Sequence, residues 1–267
     1  MSFIRIGGKQ ISYWIGRKNR ANKKETILFI HGAGGSQFVW SCQKNFFEKE
    51  FSPVLIELPG HGGSEGDGED EVAKYAGIVN AFLGAMDLER IFLVGHSMGG
   101  AIVQTMALTR PEGIAGIILA GTGARLRVLP MILDGIRNRF EETIRGITRF
   151  AYSGKAPPEV IERGILELMK CRPEVLYGDF RACDQFDLSN EVRRIELPAL
   201  IICGSEDELT PVKYSQYLQG QIKGSRLEIL PGAGHMVMME SPEAFNERIR
   251  EFIVEIGYRA SKAQGVK

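Results

Sequence analysis

Eight short apolar runs punctuate this chain, and most are apolar at consecutive positions rather than at alternate ones. A strand with one face in water alternates, so unbroken runs of about four to eight apolar residues suit strands covered on both faces, as in a parallel sheet. The runs cover residues 3–6, 10–15, 26–30, 53–58, 91–94, 114–120, 199–203 and 226–230. The first two flank Gly7-Gly8 and read as a hairpin with a glycine turn. Helical periodicity fills the spaces at 71–86, 98–108, 211–218 and 242–253. Two of these patterns begin at a proline, Pro211 and Pro242, the latter after Ser241 as a candidate N-cap. Strand and helix in alternation predict a parallel sheet with helices on both faces.

The alternation stops between Gly121 and Pro198. No strand pattern is present there, and three helical faces take its place: Ile136, Phe140, Ile144 and Ile147; Ile161, Ile165, Leu168 and Met169; Leu176, Phe180 and Cys183. Residues 1–121 and 198–260 therefore read as the core, 122–197 as a helical cap, and 261–267 as a polar, flexible tail. The cap leaves one strand end and returns into the next, so it is expected to lie over the sheet edge as a lid, with Gly121 and Gly123 as a hinge.

At 267 residues the chain is long enough to bury a full core without staples. Lysine plus arginine equals aspartate plus glutamate at 33 each, which leaves no global field to attract nucleic acid or an anionic membrane. Arg125, Arg127, Arg137, Arg139, Arg145 and Arg149 form one basic cluster, but Asp134, Glu141 and Glu142 are mixed into it, as on a solvated helical face. The four cysteines make no C-x-x-C pair and no zinc spacing, so no metal site is expected. The first residues lack the basic and apolar regions of a signal peptide, and no run is long enough to span a bilayer. The expected location is the cytoplasm.

Three loops carry chemistry. In Ile91-Phe-Leu-Val-Gly-His-Ser97-Met-Gly-Gly100 an apolar strand enters G-x-S-x-G and a helix follows at once. A serine at such a turn is held exposed at the strand end, and the flanking glycines let strand and helix approach closely. In Ile30-His-Gly-Ala-Gly-Gly-Ser36 another strand ends in glycines, which free backbone N–H groups to face a developing oxyanion. The amides of Ala33 and Met98 are the candidate donors. A nucleotide-binding reading fails, because Gln37 stands where G-x-G-x-x-G needs its third glycine and no Walker sequence is present. Of the four histidines only His235 lies late, just after the last strand, which makes it the candidate general base beside Ser97. The acid is expected at the end of the strand at 199–203, where Glu206, Asp207 and Glu208 all stand. Asp207 is preferred. His31, Gly32, His96 and Met236 flank these motifs and, with Phe140 and Phe186 of the cap, are the candidate substrate-pocket residues.

Over nearly its whole length the chain resembles the α/β-hydrolase superfamily. The order Ser97, Asp207, His235 is similar to that family's order, His31-Gly32 to its oxyanion loop, and Leu58-Pro-Gly-His-Gly-Gly-Ser64 to its loop after the fourth strand. Gly204-x-x-Asp207 and Gly234-His235 resemble its acid and base loops, which favours Asp207 over the two glutamates. Gly95-His-Ser97-Met-Gly-Gly100 is similar to monoacylglycerol lipases and bacterial carboxylesterases. The resemblance implies an α/β-hydrolase fold, a mostly parallel eight-stranded sheet flanked by helices with a helical cap. It implies a serine hydrolase of small or medium apolar esters or thioesters, working without a cofactor. A carbon–carbon bond hydrolase of a diketone, and a non-catalytic ligand-binding module, remain the alternatives.

Overall fold

A computed structural model describes residues 1–16, 25–86, 88–109 and 112–264. Its eight strands are β1 (Ser2–Ile6), β2 (Lys9–Ile15), β3 (Thr26–Ile30), β4 (Ser52–Ile56), β5 (Ile91–His96), β6 (Ile114–Ala120), β7 (Ala199–Gly204) and β8 (Arg226–Leu230). They form one sheet in the order β1-β2-β4-β3-β5-β6-β7-β8. The hairpin β1–β2 and the pair β2–β4 are antiparallel, and every later pairing is parallel.

The unbroken apolar runs are explained by what covers each face. In β3, Leu28 and Ile30 enter one buried cluster while Ile27 and Phe29 enter another. In β7, Ile201 joins the first cluster while Leu200 and Ile202 join the second. Side chains of successive strand residues point to opposite faces, so both faces demand apolar residues. The first face is covered by α2 (Val72–Ala85), α3 (Met98–Thr109) and α8 (Val212–Gln221). The second is covered by α1 (Ser41–Phe47), α9 (Val237–Glu240) and α10 (Pro242–Gln264). The Ser241 carbonyl accepts from the Phe245 N–H at 2.9 Å, which places Ser241 at the start of α10.

Between β6 and β7 lie α4 (Pro130–Asn138), α5 (Phe140–Ala151), α6 (Pro158–Leu168) and α7 (Pro173–Gln185). The first of the three expected helical faces is in fact two helices. Arg139 sits at φ −144°, ψ 53° between them, so Ile136 and Phe140 belong to different elements. The four helices share a small apolar cluster built on Ile136, Ile144, Ile165, Val175 and Leu176. The two passes of chain that lead into and out of this region meet at one antiparallel bridge, Arg125 with Asp187, reinforced by an ion pair at 3.1 Å. The basic cluster is dispersed in the same way. Arg145 pairs with Glu141 and Glu162, Arg139 with Glu142, and Arg137 lies over the Tyr177 ring. Two further departures from the sequence reading concern element ends. Helix α1 and a 3-10 turn at Gln37–Trp40 lack a clear apolar period, and α10 continues into the expected tail as far as Gln264, because residues 261–264 hold no proline or glycine. Residues 265–267 of that tail lie outside the described ones. No helix among the described residues is long and apolar enough to cross a membrane.

Backbones approach very closely where β5 meets α3. A methyl carbon on Gly95 would collide with the Gly99 backbone, and one on Gly99 with the Ile30 carbonyl. Gly77, by contrast, lies exposed inside α2 with open space around it. Gly99→Ala is therefore expected to cost at least about 2 kcal/mol, since backbone cannot move aside as a flexible side chain can. Gly77→Ala should add about 0.5–1 kcal/mol, the usual cost of glycine in a helix interior. Urea unfolding of both variants checks the pair; equal effects would contradict this account.

Candidate active site

Ser97 links β5 to α3 with φ at 53°, one of two non-glycine residues at positive φ among the described residues. Four hydrogen bonds hold that strained backbone. Its N–H donates to the Ala120 carbonyl at 2.9 Å, while its carbonyl accepts from Gly100 N at 2.9 Å, Ala101 N at 3.2 Å and the Thr122 hydroxyl at 2.9 Å. Surroundings that over-determine an unfavourable conformation are what let it persist. Met98 opens α3, so its N–H has no partner within the helix.

Asp207 and His235 stand in the loops after β7 and β8. His235 Nδ1 lies 2.9 Å from Asp207 Oδ2 and 3.2 Å from Oδ1. The N–H groups of Leu209 and Thr210 donate to Oδ1 at 2.9 and 2.8 Å, and the Thr210 hydroxyl donates to Oδ2 at 2.8 Å. Burial pushes the Asp207 carboxyl up, but the His235 ring and these hydrogen bonds outweigh it and hold the group below its ordinary range. An ionised carboxylate only accepts, so Nδ1 must carry the proton and Nε2 is left as the acceptor nitrogen. Gly121 makes room for the pair. A methyl carbon there would sit 3.3 Å from His235 Nδ1 and 3.5 Å from Asp207 Oδ2. Of the competing acids, Glu206 pairs with Lys155 at 3.5 Å and Glu208 is exposed.

Ser97 and His235 open into one cavity of about 740 Å³, walled on one side by Gly32, Ala33 and Gly34 and on the other by the helices between β6 and β7. Gly32 packs against the elbow; a methyl carbon on it would lie 3.1 Å from Ser97 Cβ. His96 and Met236 line the cavity as expected, together with Phe150, Met131 and Phe180. Phe140 and Phe186, expected there, do not. Phe140 packs on the cap's own apolar cluster, and Phe186, just past the end of α7, is buried among core side chains, so each finds apolar neighbours without the cavity.

His31 also stays out of the cavity. Its Nδ1 donates to the Gly32 carbonyl at 2.8 Å, and its Nε2 accepts the Leu58 N–H at 3.0 Å. A charged ring could not accept that N–H, and burial, aided by the nearby His61 ring, pushes its pKa down to about 3. His96 is neutral for a similar reason: burial, with His235 nearby, holds it at about 3 while its Nε2 donates to the His235 carbonyl at 3.0 Å. His61 is the opposite case. Both nitrogens face acceptors, the Pro59 carbonyl at 3.0 Å and Asp179 Oδ2 at 2.8 Å. Burial disfavours its charge, but Asp179 prevails and raises its pKa well above the ordinary value.

Sequence reasoning missed Thr210 and Asp179. The first had a signal, because a residue two or three after an aspartate readily donates to its side chain. The second shares the apolar face of Leu176 and Cys183, where a carboxylate is out of place.

Residues 27–248 match the Alpha/beta hydrolase family. A solved thermophilic esterase is 35% identical, with a TM-score of 0.84, over 96% of this chain and 98% of its own. A 2-hydroxy-6-oxo-6-phenylhexa-2,4-dienoate hydrolase of Comamonas testosteroni is 27% identical over 94% of this chain and 95% of its own length. A pimeloyl-[acyl-carrier protein] methyl ester esterase of Yersinia enterocolitica is also 27% identical, over 85% and 92%.

The buried histidines set an expectation for acid. His31 and His96 take up no proton in the folded state until pH nears 3, whereas an unfolded histidine does so near 6.5. The unfolded state thus binds more protons between those values, and stability falls as pH drops through that window. The Asp207 contribution is lost only below its unfolded value of 3.8, and His61, whose pKa is raised, opposes the decline only near its unfolded value of 6.5, so the two neutral rings dominate from about pH 6 to 5. Unfolding free energy measured by urea across that interval should decline steadily; a flat profile would contradict two neutral buried rings.

Proposed function

The chain belongs to the alpha/beta hydrolase family, and from that membership we propose that it hydrolyses carboxylic esters or thioesters through an acyl-enzyme on Ser97. The observation that carries this reading is the fixed Asp207–His235 pair opening, through Nε2, into the cavity that holds Ser97 at a strained turn. Ser97 Oγ attacks the acyl carbon while His235 Nε2 takes its proton. Asp207 holds the Nδ1 proton in place and stabilises the imidazolium. The oxyanion accepts from the N–H groups of Ala33 and Met98, which cost no reorganisation if they already face it. His235 then protonates the leaving group, and a water it activates releases the acid. Nothing in this cycle calls for a metal or an organic cofactor.

The substrate class follows from the wall. Residues 122–197 act in this reading as a lid, with Leu129, Met131, Phe150 and Phe180 giving the acyl or alcohol part an apolar bed. A second reading, hydrolysis of a carbon–carbon bond in a diketone acid, draws on the dienoate hydrolase relative and on Arg127 and Arg139 in the cavity wall, either of which suits a carboxylate. The balanced charge fits a small neutral or weakly charged substrate, and the cytoplasm is the proposed location.

Labelling by a fluorophosphonate, absent in Ser97→Ala, tests the nucleophile and separates an enzyme from an inert binding module. Ser97→Ala or His235→Ala should lose at least about 10³-fold in turnover of p-nitrophenyl esters, and the double variant should be hardly worse than either. A Ser97→Ala enzyme with a tenth of wild-type activity overturns the reading. For the substrate, each buried methylene contributes about 0.8 kcal/mol, so kcat/KM should rise about fourfold per methylene from acetyl esters until the cavity fills. Phe150→Ala and Met131→Ala should shift that optimum, and a flat profile in all three proteins would refute the lid's role. Faster turnover of a 6-oxo-dienoate than of any ester would favour the second reading.

A further inference from the structure

Four residues form a turn over the elbow. The Gly35 N–H donates to the Gly32 carbonyl at 3.1 Å, and Gly34 takes φ 63°, a conformation suited to glycine. This turn carries Ala33, whose amide the proposed mechanism uses. Its middle peptide is held from outside the core: the Gly34 N–H donates to Asp179 Oδ2 at 2.7 Å. Asp179 lies on α7 with its side chain wholly buried. The same oxygen receives His61 Nε2 at 2.8 Å, and Oδ1 receives the Tyr75 hydroxyl at 2.5 Å. Leu168 and Leu176 close over the turn so tightly that a methyl carbon on Gly34 would strike both.

Resting on the acyl-enzyme reading above, we propose that Asp179 is a positioning residue that fixes the Gly32–Gly35 turn, and with it the Ala33 amide, from the cap. Packing alone does not account for the arrangement. A buried carboxylate is costly unless paired, and a fully apolar contact would join α7 to the core at lower cost. What the charge adds is direction. A carboxylate clamped between the His61 imidazolium and the Tyr75 hydroxyl has a fixed place, so the peptide it receives is fixed too. An oxyanion donor works only within a few tenths of an ångström of its place. Helix α7 also carries Phe180 and Cys183, which line the cavity. One helix thus touches the substrate space with one part and the oxyanion turn with another, so an acyl group that packs well against Phe180 keeps Asp179 seated.

The test compares Asp179→Ala, Asp179→Asn and Tyr75→Phe, using p-nitrophenyl butyrate and counting active sites by fluorophosphonate titration. Asp179→Ala should lower kcat per titrated site by about 10²-fold, the scale of a misplaced oxyanion donor, while KM changes less than about threefold. Asp179→Asn keeps one acceptor oxygen and should lose about tenfold, which tests the same point if the alanine variant does not fold. Tyr75→Phe removes one arm of the clamp but leaves the bond to Gly34 in place, so it should lower kcat per titrated site by about threefold, less than Asp179→Asn does. A merely structural role predicts fewer titrated sites and a lower melting temperature in all three, each remaining site turning over at the wild-type rate. That result, or a change in KM alone, overturns the proposal and leaves the acyl-enzyme reading standing. A wild-type protein that neither labels nor turns over esters defeats both.

Discussion

Strand β5 and helix α3 approach until no carbon atom fits between their backbones, and everything at the serine follows from that contact. Gly95 faces Gly99, Gly99 faces the Ile30 carbonyl, and Gly32 faces Ser97 itself. Such closeness forces the chain to turn within one residue, which puts Ser97 at positive φ. It also brings the loop after β3 against the loop after β5, where a methyl carbon on Gly32 would lie 3.1 Å from Ser97 Cβ. The surrounding sheet is the support this contact needs, since only strands buried on both faces resist the strain.

The sheet could be read from the sequence because covering both faces leaves an unmistakable trace. The runs at 26–30 and 114–120 coincide with β3 and β6. The elbow was legible for a steric reason, since glycine is the only residue the contact admits. The cap was harder. Ile136, Phe140, Ile144 and Ile147 keep helical spacing across a break at Arg139, because the break alters backbone angles and not the apolar pattern. Phe140 and Phe186 are large apolar residues of the cap, but apolar size drives burial and says nothing about which space is filled. Phe150, at 58% exposure, lines the cavity instead. Spacing alone leaves Glu206 and Glu208 open beside Asp207; the resemblance of Gly204-x-x-Asp207 favours the aspartate, and it is Asp207 that lies against His235.

Among the described residues are two buried pairs of aspartate and histidine, and they differ by what the second ring nitrogen meets. At His235 it faces the cavity, so the ring can exchange a proton with whatever enters. At His61 it meets the Pro59 carbonyl, so the proton is locked in and the pair acts as a rivet. The remaining rings, His31 and His96, are held neutral by burial and serve as spacers between loops. Residue type alone is a poor guide to role here, since identical side chains stand as proposed base, cation and neutral strut.

The helices between β6 and β7 enter and leave the sheet at neighbouring strands, with Arg125 and Asp187 bridging the two passes. A segment joined at one narrow neck can in general be exchanged for another without disturbing strand register, as a handle is changed on a tool. In this chain the exchange carries a condition. A replacement that lacked a carboxylate at the place of Asp179 would leave the Gly34 amide, the Tyr75 hydroxyl and a cationic His61 facing an empty space, and an uncompensated buried charge costs about 3–5 kcal/mol. The history of such a segment is therefore tied to three residues of the core, which constrain Asp179 by charge as packing constrains Val175, Leu176 and Cys183 by shape.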